Sequence, residues 1–244
     1  MSSAGARGRL VLVPNLLGLA SPDAVLPQRT IAVTRTLRHV VVENAKPARQ
    51  FLATLDMPVP LREVAIEELT GTPDRARCRA LLAPALAGMD VGLLSDAGCP
   101  AVADPGALLV AAAHELGVTV LPLVGPSAIL LALMASGMNG QSFTFHGYLP
   151  VDAALRRARL QVLDDAIRRE GATQLFIETP YRNDAMLASI LEVCRGSTVL
   201  CVAIDLTTAA ESITCRTVAA WKRAPAAPIG KRPAMFVLGG AVAG

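Results

Sequence analysis

The segment "LLSDAGCPAVADPG", residues 93–106, sets Asp96 and Asp104 among two glycines and two prolines directly after an apolar run. A buried strand that ends in such a turn leaves backbone open to close approach, because Gly98 has no Cβ and Pro100 fixes φ. "DPG" then reads as a helix start, with Asp104 as N-cap and Pro105 at the first helical position. Three other strand ends carry similar turn chemistry. "LVPNLLGL" runs into a Pro14-Asn15 turn, and "LPLVGPSA" brings Ser127 to the head of a helix, where its hydroxyl and the free N–H groups can bond a ligand. "FIETPYR" sets Glu178 and Arg182 astride Pro180. Open α/β sheets bind ligands beyond the carboxyl ends of their strands. Singly, Asp104 as a cap and Gly98 as a turn would be scaffold; four such ends together imply a ligand cradle.

The elements that must hold these turns follow from patterning. With 244 residues, 52% of them apolar, the chain can bury one large α/β core or two smaller ones joined by a hinge. Short Val/Ile/Leu runs alternate with helical patterns, which predicts an α/β fold with mostly parallel or mixed sheets. Strands are expected near 9–13, 31–34, 39–42, 91–95 and 118–123, with helices near 45–55, 74–87 and 106–116. This makes a first domain over 9–123. A second, over 124–240, takes a helix at 127–137, a strand at 143–147, a helix at 152–170, a strand at 174–178, a helix at 182–193, and strands at 198–204 and 234–239. Residues 1–8 read as a loose tail without the apolar stretch of a signal peptide. "RAPAAPIGKRP" reads as a Pro-rich surface loop.

Composition narrows the function classes. A net charge of +3 is too small to announce a nucleic-acid binder, although it does not exclude one. Cys78, Cys99, Cys194, Cys201 and Cys215 are odd in number and form no CxxC pair, so neither a zinc ribbon nor a disulfide framework is indicated, and a cytoplasmic location fits best. His39, His114 and His146 offer no ligand pair at metal spacing, so no metal is expected. Residues 118–145 carry no charge, yet Pro122, Gly125 and Pro126 interrupt them; a buried strand and helix are expected there, not a membrane span.

In order and spacing, "VPNLLG", "SDAGCPAVADPG", "LVGPSA", "ETPYR", "IDLTTAAESI" and "GKRPAMFVL" resemble the tetrapyrrole-methylase superfamily of S-adenosylmethionine-dependent methyltransferases. Within it they look most like the branch that methylates a ribose 2′-hydroxyl of small-subunit ribosomal RNA. The resemblance runs from about residue 9 to 240, and "SDAGxPxxxDPG" is its most specific part. It implies a homodimer of two-domain α/β chains with S-adenosylmethionine in the cleft between the domains. By position, Pro14, Asp96, Gly98, Cys99, Pro100, Val102, Ala103, Ser127 and Ala128 would lie on the cofactor, with Leu206, Thr207, Pro233 and Ala234 on its adenine side. Glu43, Arg182 and Lys231 would meet the substrate.

Methyl transfer from a sulfonium is an in-line displacement, so positioning and water exclusion carry most of the rate. A ribose hydroxyl needs a base to take its proton; Glu178, Asp104 and Glu211 are candidates. Glu178 is favoured for its place at a strand end facing the cleft, and pairing with Arg182 to hold the loop is its other role. Phosphates could meet Arg35, Arg38, Arg156, Arg157, Arg159, Arg168, Arg169, Lys231 and Arg232. At so low a net charge such arginines are more often a solvated helix face. Aromatic residues make up 3% of the chain, Tyr148 and Tyr181 being the two tyrosines, so stacking platforms for bases are scarce. The chain departs from the branch pattern in several places: Val124 replaces a proline, Asp205 a glutamate, "KRPAMF" stands where "KGEM" is expected, and "VENAKPARQFL" keeps only Glu43 of an acidic signature. Two other functions stay open, methylation of a tetrapyrrole or another small molecule and a cofactor-binding module without turnover.

Overall fold

The structure, a computed structural model, describes residues 7–224 and 227–240. Residues 1–6 of the expected tail lie outside it, as do Pro225 and Ala226 of the Pro-rich loop. The chain divides into two compact units, the first ending at Ser127 and the second beginning at Ala128.

In the first unit the order is β1 (Arg9–Val13), α1 (Pro22–Val25), α2 (Gln28–Thr36), β2 (His39–Val42), α3 (Ala45–Thr54), β3 (Ala65–Glu68), α4 (Arg75–Leu81), α5 (Ala83–Leu86), β4 (Val91–Leu94), α6 (Ala107–Glu115) and β5 (Thr119–Pro122). The five strands form a parallel sheet in the order β3-β2-β4-β1-β5. Val91, Gly92, Leu93 and Leu94 are all buried because helices cover both faces of the sheet. One face packs Leu81, Leu82, Leu109 and Ala113 against Leu10 and Leu93, and the other packs Leu37, Ala48, Phe51 and Leu52 against Val11, Val13 and Val42. Each leucine buried in this way stabilises by about 1.5–3 kcal/mol relative to exposure.

The chain leaves β1 towards β2, passing β4, and leaves β4 towards β5, passing β1. Neighbouring strands whose connections depart in opposite directions open a crevice beyond their carboxyl ends. The turns singled out after β1 and β4 are therefore the two walls of that crevice.

Three expectations need correction. Residues 31–34 belong to α2, not to a strand: Thr30 and Thr34, four apart, are its buried positions, so the apolar "IAV" run has helical spacing. The helix expected over 74–87 is broken at Leu82, because Pro84 cannot continue the hydrogen-bond ladder of α4. Asp104 is not an N-cap. The helix starts at Ala107 behind Gly106, whose φ of +132° suits glycine alone, and no side chain caps it. Strand β3, half-exposed and ending in two glutamates, was not expected.

The second unit runs α7 (Ala128–Ser136), β6 (Phe143–Tyr148), α8 (Ala153–Glu170), β7 (Thr173–Ile177), α9 (Asn183–Val193), β8 (Val199–Ile204), β9 (Ser212–Thr217), α10 (Val218–Arg223) and β10 (Ala234–Gly239). Its sheet is mixed, in the order β6-β7-β10-β8-β9, with β10 antiparallel to both neighbours. Strand β9 and helix α10 are additions to the expected elements. Asp152 caps α8 by accepting from the N–H groups of Ala154 and Leu155, both at 2.9 Å, and Gly171, with φ +66°, ends it. Phe176 and Phe236 stack in the core with centroids 5.6 Å apart, and the Trp221 indole donates to the Leu200 carbonyl at 3.0 Å. Among the described residues no helix is long and apolar enough to cross a membrane.

Candidate active site

At the carboxyl edge of the first sheet, Asn15 ties two loops together. Its N–H donates to the Gly98 carbonyl at 2.8 Å, and its side-chain amide donates to the carbonyls of Ser95 and Asp96 at 3.1 and 3.0 Å. Its Oδ1 accepts from the Leu16 N–H at 2.8 Å, so one buried side chain satisfies backbone groups on both loops. A third loop joins from β5. Gly125 lies so close to Pro14 that a Cβ there would stand 2.3 Å from the proline Cγ. The Cys99 thiol donates to the Pro126 carbonyl at 3.4 Å, and Thr30 of α2 donates to the Val124 carbonyl at 2.7 Å.

Between Gly98 and Gly106 the β4 loop is strained. Gly98 has φ +68°, Ala101 +64° and Ala103 +65°. A left-handed conformation costs a residue with a Cβ about 1–2 kcal/mol, and such cost persists where surrounding contacts over-determine the backbone. Holding two alanines there leaves Val102 half-exposed between them, with Ala103 also exposed. Pro14 and Pro100 are buried beneath, and Ser127 and Ala128, half-buried, follow on the β5 side. Of the nine positions implied for the cofactor on this side, eight belong to the first unit, on three mutually braced loops at one sheet edge, and Ala128 opens the second unit.

Three carboxylates share that edge. Asp96 donates its backbone N–H to the Glu43 carboxylate at 3.4 Å. Burial raises Asp96, and its side chain takes no hydrogen bond from the described residues. Asp104 is pushed up from 3.8 to about 6, first by burial and then by the charge of Glu43, with a smaller push from Asp96; the Ser95 hydroxyl eases it back. A carboxylate titrating near 6 is ionised at neutral pH yet holds a proton far better than an ordinary aspartate.

In the second unit, Leu206 and Thr207 follow β8, Pro233 precedes β10 and Ala234 begins it. They adjoin, since the Asp205 N–H donates to the Pro233 carbonyl at 3.0 Å and Ala234 pairs with Ile204. Asp205 and Thr207 are left-handed, with φ +50° and +69°. The Thr207 hydroxyl is buried without a partner, and its N–H donates to Glu211 at 2.7 Å. Arg232 holds the group by pairing with Asp205 and donating to the Ala210 carbonyl at 2.7 Å.

Glu178 stands at the end of β7 with its side chain fully buried. Oε1 accepts from the Arg182 guanidinium (Nε at 2.9 Å) and from the Thr179 N–H at 2.6 Å, while Oε2 has no partner. Through these bonds Glu178 holds Thr179 and Arg182 of its own loop. Of the basic candidates, Arg156 is buried and bonds Ser189 and the Val151 carbonyl, Arg157 pairs with Glu192, and Arg159 meets His146. Arg35 pairs with Asp56, and Arg38 donates to the carbonyls of residues 35–37. Arg168 and Arg169 are exposed, and the Lys231 ammonium lies 4.9 Å over the exposed Tyr181 ring. No cluster of metal-ligating side chains occurs among the described residues.

Asn15 and Thr30 were missed by sequence. An asparagine directly after a strand and proline was the available signal for the first; Thr30 had none, because its helix was read as a strand.

A ribosomal RNA small subunit methyltransferase I of Xylella fastidiosa is 32% identical over 213 residues, 87% of this chain and 75% of that protein. The enzyme of the same name from Vibrio cholerae is 30% identical over 204 residues, 84% and 67% of the two chains. One from Micromonospora olivasterospora is 39% identical over 186 residues, covering 76% of this chain and 56% of its own. No protein-family model matches. Among solved structures, the methyltransferase CobJ superposes with a TM-score of 0.63 at 18% identity, covering 96% of this chain and 95% of CobJ. The uroporphyrin-III-C-methyltransferase of Thermus thermophilus gives 0.57 at 20%, covering 97% and 94%. At those identities the likeness is one of fold.

Proposed function

The chain belongs to the ribosomal RNA small subunit methyltransferase I family, and from that premise we propose that it moves the methyl group of S-adenosylmethionine to a ribose 2′-hydroxyl of small-subunit ribosomal RNA. That it is a methyltransferase follows from the family; the donor, the acceptor and the residues that serve them are the proposal. The observation that carries it is the braced edge of the first unit, where Asn15, Gly125 and the left-handed Ala101 and Ala103 hold three loops as one surface.

That surface fits the donor. The Asp96 carboxylate, which takes no hydrogen bond from the described residues, is a group that the polar amino-acid end of the donor can satisfy. Pro14, Asp96, Gly98, Cys99, Pro100, Val102, Ala103, Ser127 and Ala128 would hold it, with Leu206, Thr207, Pro233 and Ala234. When bound, it supplies an electrophilic methyl carbon on a sulfonium. The strained loop keeps its shape before the donor arrives, so orientation costs little at the moment of reaction. Asp104 is the base we assign: near pH 7 it is ionised, and its raised affinity for a proton suits it to take one from the ribose hydroxyl. Glu43 keeps that proton affinity high by repulsion. Exposed Arg168, Arg169 and Lys231 are left for phosphates, with Arg182 occupied by Glu178. A homodimer belongs to the same proposal, and light scattering on the purified protein checks it.

The test is transfer of tritium from methyl-labelled S-adenosylmethionine to small ribosomal subunits from a strain lacking this gene, followed by mass mapping of the RNA. One new ribose methyl is expected. Transfer to uroporphyrinogen but not to RNA, or donor binding without transfer to either, overturns the proposal.

A further inference from the structure

In the first unit a groove of about 310 Å³ opens between the loop after β1 and helix α3. Pro47, Gln50, Phe51 and Thr54 follow at three- and four-residue spacing, so they form a single stripe of α3 and make one wall. Leu16, Leu17 and Leu19 make the other, and Asp96 and Ala97 close one end.

We propose that this groove receives the base of the nucleotide whose ribose is methylated, swung out of the RNA stack. This rests on the function proposed above and extends it to the recognition of the acceptor. Four observations carry it. Asp96 and Ala97 belong both to the groove and to the β4 loop, so a base seated in the groove has its own sugar beside the cradle and Asp104. The volume lies at the small end of ligand pockets, which run about 300–1,000 Å³, so the groove suits one heterocycle and not a tetrapyrrole ring. Leu16, Leu17 and Leu19 on one wall and Pro47 and Phe51 on the other are apolar groups that suit two π-faces, while the Gln50 amide can meet a base edge with both a donor and an acceptor. Finally, Leu19 is 98% exposed at the lip. An apolar side chain held out there can fill the gap that an extruded base leaves in the stack.

The test compares the full chain with Thr54→Trp, which fills the groove from an exposed helix position, and with Gln50→Ala, which removes its amide. Methyl transfer to the unmethylated small subunit is measured beside donor affinity by calorimetry. Thr54→Trp is expected to raise KM for the RNA about tenfold or more while donor affinity stays within about twofold; Gln50→Ala lowers kcat/KM by roughly three- to tenfold. Once the methylated nucleotide is mapped, an RNA abasic at that position should bind the native chain and Thr54→Trp alike. Native kcat/KM in both variants, or an abasic RNA that still distinguishes them, overturns the inference while leaving the methyltransferase function standing. Should Thr54→Trp lose its circular dichroism, Gln50→Ala alone decides. A native chain that transfers no methyl to RNA overturns the function itself, and the inference with it.

Discussion

Replacing Asp104 with asparagine should stabilise the protein and disable it, and the two effects have different pH signatures. The carboxyl is displaced from 3.8 to about 6, so the folded state binds its proton more tightly than the unfolded chain does. A raised acid of this kind contributes stability that is complete below about pH 4 and is lost as pH rises through about 6. Two units of displacement at 1.36 kcal/mol each give about 3 kcal/mol at full burial. Asp104 is half-buried, so solvent screening reduces this to about 1–2 kcal/mol. Asparagine keeps the shape and an acceptor for Ser95 but removes the charge facing Glu43 and Asp96. Asp104→Asn should therefore match the native protein near pH 4 and exceed it by that amount at pH 7–8. Urea titrations at intervals from pH 4 to 8 measure the difference. Far-UV circular dichroism is the right readout, because Trp221, Tyr148 and Tyr181 all lie in the second unit, whereas the perturbation is in the first. A stability difference that stays flat with pH, or that favours the native chain at pH 8, would refute the electrostatic account. In the same variant methyl transfer should fall about 10²–10⁴-fold, and the acid limb of kcat/KM near pH 6 should vanish.

Gly125→Ala forces a Cβ to 2.3 Å from Pro14 Cγ and should destabilise by about 1–3 kcal/mol; calorimetry should show donor affinity falling with it. Asn15→Ala leaves the buried Ser95 carbonyl without its side-chain donor and keeps only the backbone bond to Gly98 between the β1 and β4 loops, at about 1–3 kcal/mol in urea unfolding. Arg182→Ala strands the buried Glu178 carboxylate and should cost about 3–5 kcal/mol, whereas Glu178→Gln, being neutral, should cost less and leave the pH dependence of methyl transfer unchanged.

Sequence disclosed those parts of the molecule whose chemistry is local. The short β-branched and leucine run Val91–Leu94, closed by a Gly/Pro turn, reads as a buried strand, and that turn marked the sheet edge. Two of the four edge strands hid themselves: Ala65–Glu68 and Ser212–Thr217 are mostly exposed, with little apolar patterning to detect. In α2 the β-branched residues favoured a strand, and only the four-residue spacing of two buried threonines spoke for a helix. "DPG" misled for another reason. An aspartate and proline before an apolar stretch signal a cap locally, but the bracing of Gly98 by Asn15 and of Cys99 by Pro126 holds the loop out to Gly106, and Asp104 is drawn into the company of two other acids. That bracing runs through Asn15, some 80 residues away in sequence, and no local window contains it.

Strand β10, the last element in chain order, lies in the middle of the second sheet, between β7 and β8. On a translating ribosome the first unit has every strand it needs once Pro122 has emerged, but the second must wait for Gly239 before its central rung exists. Until then Phe176 has no Phe236 to stack on, and the flanks of β7 and β8 stay unzipped, a sticky interval that cellular folding helpers would have to cover.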